Sequence, residues 1–178
     1  MLKIVHAPNP ILFQKTKAVA KIDEKIKKLI EEMKETLLAQ SDPQGVGLSA
    51  NQVGVGLSLF IMKPTKKSKI FVFINPKIIK TVLEKERPSS KKKTIKLEGC
   101  LSVPKIWGNV KRPSKVLLEY QTDDENFEKK QKWFCGFEAI IIQHEVDHLN
   151  GTLFTQRAVA QNQPLYEEKD GKLEKIDK

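Results

Sequence analysis

The sequence is poor in the residues that disulfide-bonded and membrane proteins need. It has two cysteines, enough for one disulfide at most, and its N-terminus lacks a signal-peptide layout. We therefore expect Cys100 and Cys135 to be free thiols. No apolar run approaches the roughly 18 residues that cross a bilayer. These features predict a cytoplasmic protein with no membrane association.

Arginine is also scarce. Arg87, Arg112 and Arg157 are the three arginines, so scattered lysines supply most of the formal net charge of +10. Nucleic-acid recognition favours the planar fork of arginine, and the chain has no basic stripe interleaved with aromatic residues. The charge therefore indicates a solvated lysine surface that attracts polyanions weakly, and it argues against a specific DNA-binding protein.

The overall composition is that of a globular protein. Apolar residues make up 39% of the chain and charged residues 30%, which excludes a largely disordered chain. No internal repeat or linker divides the 178 residues. We expect a single domain over residues 1–178, with a charged surface loop at 84–93 and a tail at 156–178.

Hydrophobic periodicity and turn residues predict an α+β fold with antiparallel sheets. An amphipathic helix is expected over residues 23–40, and a second helix over residues 136–150. An Asp-Gly pair between two partly alternating runs predicts a C-terminal hairpin over residues 165–176. Further strands are predicted at 56–62, 70–79, 94–97, 110–121 and 127–134.

The second predicted helix carries a possible metal site in residues 143–151, QHEVDHLNG. His144 and His148 are four residues apart, so both imidazoles lie on one helix face and can bind one metal ion. Glu145 stands beside them and can act as a general base in hydrolysis. Apolar residues three, four and seven positions before His144 indicate that this face is buried, which disfavours two surface histidines. The fold is then antiparallel sheets packed around a central metal-binding helix.

A catalytic site of this kind needs a third protein ligand and one open position. Phe154 stands where one large protease class has a third histidine, so that class is excluded. His6 lies in a proline-broken start. Glu167 or Glu168 falls near the spacing of a glutamate-ligand protease class, although in a charged tail. Cys100, in a glycine turn that ends a strand, is the better candidate, and a metal would keep its sulfur as thiolate.

Three motifs in this order resemble those of the peptide deformylases, over roughly residues 1–155. They are GVGLSANQ at 45–52, EGCLS at 98–102, and the histidine motif at 143–151. The resemblance implies a mononuclear metal held by Cys100, His144 and His148, often Fe(II) in the cell and replaceable by zinc or nickel. It also implies hydrolysis of the formyl group from the N-terminal formylmethionine of new polypeptides.

The resemblance assigns roles to further residues. Glu145 is implied as general base, and the side-chain amide of Gln52 and the backbone N–H of Leu101 as donors to the developing oxyanion. Gly47 and Gly99 let the substrate backbone approach closely, as a strand laid along a sheet edge. The methionine pocket is expected to be lined by Val46, Phe137, Ile140 and Ile141.

Some positions refine or depart from the family pattern. Glu98 and Arg112 match family positions and are expected to pair beside the site. Trp107 and Ile140 stand where many members carry arginine, which makes the pocket more apolar. The tail lacks the long basic helix that docks some members at the ribosome, so transient ribosome association would use the lysine-rich surface or the loop at 84–93.

Two other functions remain open at this point. The first is a metalloendopeptidase with Glu167 or Glu168 as third ligand, which would cleave internal peptide bonds. The second is a lysine-rich binding module with a structural metal, which would need a fourth protein ligand because structural sites are closed.

Overall fold

The computed structural model describes residues 1–41, 44–83, 97–124 and 127–176. Within these ranges it has three α-helices, nine strands and two short 3₁₀ helices, so the α+β class is confirmed. The predicted loop at 84–93 and nearly all of the predicted strand at 94–97 lie outside the described residues. The α-helices are α1 (Glu24–Leu38), α2 (Gly136–Leu149) and α3 (Phe154–Ala160), and the 3₁₀ helices are Pro10–Phe13 and Ala50–Val53.

The strands form two antiparallel sheets. One has the order β1-β2-β3-β6-β7 and the other the order β4-β5-β8-β9. All pairings that join these strands are antiparallel, as predicted. The strands are β1 (Gly47–Ser49), β2 (Leu59–Met62), β3 (Phe71–Val82), β4 (Leu97–Cys100), β5 (Val103–Asn109), β6 (Lys115–Gln121), β7 (Lys129–Cys135), β8 (Leu165–Lys169) and β9 (Lys172–Lys175).

Helix α1 forms where the periodicity predicts an amphipathic helix. The Asp23 side chain accepts a hydrogen bond of 3.0 Å from the backbone N–H of Ile26, which satisfies one free donor of the first turn. The apolar face, including Ile30 and Met33, is buried against residues of β1 and β2. Burial of each such side chain contributes about 1.5–3 kcal/mol, which anchors α1 to the first sheet.

Helix α2 is enclosed on several sides, because its apolar and its polar residues are both largely buried. Ile142, Val146 and Leu149 pack in one cluster with aromatic residues of β2, β3 and β7. His144 and His148 lie near Cys100 at the end of β4. Side chains of α2 therefore reach residues of both sheets.

Cys135 is exposed and occupies the N-cap position of α2. It therefore lies at the entry of the helix and not in the core, and it is a free thiol as expected. No helix in the described part of the chain is long and apolar enough to cross a membrane.

Strands β1 and β5, helix α3 and the two 3₁₀ helices were not predicted. Strand β1 has three residues within the GVGLSANQ motif, and β5 contains Pro104 and Gly108, which weaken a strand pattern. Helix α3 has only seven residues, FTQRAVA, in the segment interpreted as tail. The runs on either side of Asp170-Gly171 pair as β8 and β9, and β8 also pairs with β5.

Candidate active site

Cys100, His144 and His148 form the centre of the site. One ligand atom from each lies within 4.8 Å of the other two. The Sγ atom of Cys100 is 3.2 Å from Nε2 of His148, and this nitrogen is 3.2 Å from Nε2 of His144. The end of β4 presents the sulfur, and consecutive turns of α2 present the two imidazoles. Two parts of the fold thus meet at three potential ligand atoms.

These three atoms fit a divalent metal ion. A thiolate with two imidazole nitrogens suits zinc and ferrous iron. Nδ1 of His144 lies 3.1 Å from Oε2 of Glu98, so this ring donates to the carboxylate and its Nε2 points toward the centre. Among the described residues, Nδ1 of His148 has no hydrogen-bond partner. Both rings thus turn Nε2 toward the same centre, as two imidazole ligands of one ion would.

The electrostatics of the two histidines differ. Burial disfavours the charged form of His144, but hydrogen bonds to Cys100 and Glu98 raise its pKa well above the usual value. Burial, with the charges of His144 and Arg112, lowers the pKa of His148 well below it. The site therefore favours a positive charge on His144, beside the Cys100 sulfur. A bound cation would supply a positive charge at the same place.

Glu98 is held by a buried arginine, as the family positions predict. Arg112 donates from Nε and Nη2 to the two Glu98 oxygens, at 2.6 and 2.9 Å. Burial favours the neutral form of Glu98, but its hydrogen bonds to His144 and Arg112 outweigh burial and lower its pKa. Glu98 therefore stays ionised and fixes the His144 ring.

Gln52 lies directly beside Cys100. Its Nε2 is 3.5 Å from the sulfur and donates to Oγ of Ser102 at 3.1 Å. Its Oε1 accepts hydrogen bonds from the backbone N–H and the hydroxyl of Ser49, at 2.9 and 3.0 Å. The amide plane is therefore fixed from both ends, with its NH₂ group toward the centre.

Glu145 is a buried carboxylate whose Oε2 has no hydrogen-bond partner among the described residues. Burial raises its pKa to about 7. A base whose pKa is near neutrality can both accept and return a proton at physiological pH. The absence of a side chain at Gly47 makes room for it, since a Cβ there would lie 2.8 Å from Cδ of Glu145.

A cavity of about 560 Å³ opens onto these groups. Every predicted site residue except His148 lines it. Its apolar part includes the four residues expected to form the methionine pocket. The predicted residues that line the cavity are Val46, Gly47, Gln52, Gly99, Cys100, Leu101, Phe137, Ile140, Ile141, His144 and Glu145.

The sequence model of the family described as Polypeptide deformylase matches residues 1–164. The chain belongs to this family. Among its curated relatives, the peptide deformylase of Borreliella burgdorferi is 41% identical over 153 residues, which cover 86% of this chain and 85% of that protein. The peptide deformylase of Desulfotalea psychrophila is 37% identical over 173 residues, which cover 95% and 94%.

Solved structures of the deformylase family are similar as well. The crystal structure of peptide deformylase from Thermotoga maritima has a TM-score of 0.75 and 35% identity, and the match covers 88% of this chain and 97% of that one. A peptide deformylase from Synechococcus elongatus, solved in complex with actinonin, has a TM-score of 0.75 and 33% identity, with coverage of 88% and 80%. Deformylase membership thus rests on sequence and on fold.

Other metal ligands considered from the sequence do not join the site. Glu167 forms an ion pair with Lys169 at 2.8 Å, and Glu168 accepts a hydrogen bond from Trp107. Neither belongs to the group of potential ligands found among the described residues. Phe154 stacks on the His144 ring, with centroids 6.0 Å apart. The endopeptidase alternative is therefore not favoured for this deformylase family member.

Sequence reasoning missed two residues that support the site. Asp147 accepts a hydrogen bond from Nη1 of Arg112 at 2.9 Å, and Nε of Arg157 lies 3.1 Å from the same Asp147 oxygen. The side chains of Arg112 and Asp147 are nearly enclosed. The sequence did contain a signal for this contact. An aspartate on a buried helix needs a cationic partner, and the chain has few arginines that could serve as that partner.

Proposed function

We propose that this protein hydrolyses the formyl group from the N-terminal formylmethionine of newly made polypeptides. The observation that carries the proposal is the single cavity in which the Cys100 and His144 ligands, the buried base Glu145 and the Gln52 amide lie together. The membership of the chain in the polypeptide deformylase family supports the same reaction. The protein is thus proposed to be a metal-dependent amide hydrolase that releases formate.

Cys100, His144 and His148 would hold the metal, with α2 as the helix around which the sheets pack. The proposed ion is Fe(II), with zinc or nickel as replacements, because a thiolate and two imidazoles suit each of them. When bound, such an ion supplies Lewis acidity toward water and toward the formyl oxygen. Glu98 and Arg112 would keep the His144 ring in the ligating orientation.

Glu145 would move the proton. Its carboxylate accepts a proton from the attacking water and returns it to the departing amine of methionine. The pKa of about 7 that burial gives this group suits both steps. Gln52 Nε2 and the backbone N–H of Leu101 would donate to the developing oxyanion. The contacts of Gln52 with Ser49 and Ser102 prevent its amide from turning away.

Apolar residues would select methionine. Val46, Phe137, Ile140 and Ile141 line the cavity. Burial of a methionine side chain among them is worth about 1.5–3 kcal/mol. Gly47 and Gly99 line this cavity and belong to β1 and β4, the outer strands of the two described sheets, where an extended peptide would pair with strand edges.

The decisive experiment compares two cysteine variants in a formate-release assay on a formyl-Met-Ala-Ser peptide. Cys100→Ala is expected to abolish tight metal binding and formate release, whereas Cys135→Ala keeps both. Full activity of Cys100→Ala would contradict the proposed ligand set. Cleavage of internal peptide bonds without formate would favour the endopeptidase. Metal analysis of protein purified without oxygen identifies the ion.

We also propose a transient association with the ribosome through the lysine-rich surface. The net charge of +10 and the exposed lysines of β7 support it. Sedimentation with ribosomes at increasing salt tests the proposal, since such an association weakens steeply with ionic strength. The cytoplasmic location and the single domain over residues 1–178 stay predictions.

A further inference from the structure

Trp107 is built into the sheet beside the site. In β5 it lies opposite Gly99 of β4 on one side and Tyr166 of β8 on the other. Its ring covers the position that a side chain at residue 99 would occupy, because a Cβ on Gly99 would lie 2.8 Å from Cζ3 of the indole. The indole therefore lies directly on the strand that leads to Cys100.

The C-terminal hairpin holds the indole in this position. Nε1 of Trp107 donates a hydrogen bond of 2.8 Å to Oε2 of Glu168 in β8. The indole nitrogen is a donor only, so this carboxylate satisfies its hydrogen-bonding capacity. Strands β8 and β9 follow residue 164, where the family match ends. The contact that orients Trp107 thus comes from a part of the chain outside the matched region.

Trp107 also lines the cavity that contains Cys100, Glu145 and the proposed methionine pocket. The proposed methionine-binding residues belong to α2 and to the chain just before β1, whereas Trp107 lies on the second sheet. In the proposed binding mode, a formylmethionyl peptide extends past Cys100 along Gly99, and both residues line the cavity. The indole face is therefore available to the residues that follow methionine.

We propose that Trp107, positioned by Glu168, selects for an apolar or aromatic side chain at one of the two residues that follow formylmethionine. The inference rests on the proposed deformylase activity and adds a substrate preference to it. An aromatic or large apolar side chain packs on the indole face, whereas an acidic side chain loses hydration there without gaining a partner. Trp107 is a specificity-determining residue and Glu168 a positioning residue.

The test uses formyl-Met-X-Ser and formyl-Met-Ala-X peptides in which X is phenylalanine, leucine, alanine or aspartate. The quantity compared is kcat/KM for formate release. At the responsive position, the unmodified protein is expected to prefer phenylalanine over alanine by roughly three- to tenfold, the gain that one aromatic pair gives. Trp107→Ala is expected to remove this preference by lowering kcat/KM for the phenylalanine peptide to about that for the alanine peptide, and Trp107→Phe is expected to retain most of the preference.

The hairpin contact is tested separately. Glu168→Ala frees the indole and is expected to reduce the preference, and Glu168→Gln, which keeps an acceptor oxygen, restores it. Glu167→Ala is the matched control, because Glu167 is the neighbouring residue and pairs with Lys169. If Trp107→Ala does not fold, the reduced preference expected for Glu168→Ala still tests the proposal.

A binding measurement reports the contact without turnover. In a Trp133→Phe background Trp107 is the single tryptophan, and the product peptide Met-Phe-Ser is expected to change its fluorescence more than Met-Ala-Ser does. An unchanged preference in Trp107→Ala with intact formate release would overturn this inference and leave the proposed function standing. Absence of formate from every formyl peptide would overturn both.

Discussion

The carboxylate of Glu145 is buried on α2, and the absence of a side chain at Gly47 provides the space for it. We predict that Gly47→Ala displaces the carboxylate, since its methyl group would overlap Cδ and Oε1 of Glu145. A shift of about 1 Å in a catalytic group can lower kcat by roughly a hundredfold. Formate-release kinetics and metal content measure the effect, and the metal content is expected to change little because Glu145 is outside the ligand set.

Gly56→Ala is the matched control for this change. No described atom lies within 4 Å of a Cβ built on Gly56, so this variant is expected to keep its kcat. An equal loss in the two variants would mean that any added methyl group disturbs the protein, and it would remove the argument for a specific collision with Glu145.

The protonation of Glu145 predicts the acidic limb of the pH profile. Burial raises its pKa to about 7, so the neutral form, which cannot accept a proton, predominates below that pH. A cation at the neighbouring ligands favours the carboxylate and lowers the pKa. We therefore expect kcat/KM to fall as the pH drops from 7 to 5. Measurement between pH 5 and 8 tests this, and a flat profile over that range would contradict the role of Glu145 as base.

At the scale of elements, Arg112 connects β4 to α2 through its hydrogen bonds to Glu98 and Asp147. We predict that Arg112→Met destabilises the protein by about 3–5 kcal/mol, because both carboxylates lose their buried partner. Release of Glu98 also loosens His144, so metal affinity is expected to fall by roughly 10–100-fold. Urea unfolding and competition with a chelator measure the two effects.

Lys130→Met serves as the comparison for this variant. Lys130 pairs with Asp124 on the surface, where ion pairs contribute little, so its loss should leave both unfolding and metal affinity nearly unchanged. If Arg112→Met behaved like Lys130→Met, the buried contacts of Arg112 would not support the site.

The sequence predicts the elements whose signals are local. Helix α2 begins at Gly136 and ends before Asn150-Gly151, and both boundaries follow from residues within the helix and its caps. Strand β5 escapes prediction because Pro104 and Gly108 weaken its pattern, and it forms because β4 and β8 lie on either side of it. The contact between Trp107 and Glu168 joins residues 61 apart in the sequence, so no local pattern indicates it.

At the scale of the molecule, a metal would join parts of the chain that are far apart in sequence. Cys100 belongs to β4 of the second sheet, whereas His144 and His148 belong to α2, which packs on the first sheet. A ligand that binds the folded state alone stabilises it, by about 4 kcal/mol at a thousandfold excess over its Kd. Removal of the metal is therefore expected to lower the melting temperature of the whole protein.

Calorimetry with and without a chelator measures this shift in the two cysteine variants. Cys135→Ala is expected to show the full shift, because its sulfur is exposed and lies outside the ligand group found in the described chain. Cys100→Ala should lose most of it, since two imidazoles on one helix bind metal without connecting that helix to β4. An equal shift in both variants would show that the stabilising metal does not bridge β4 and α2.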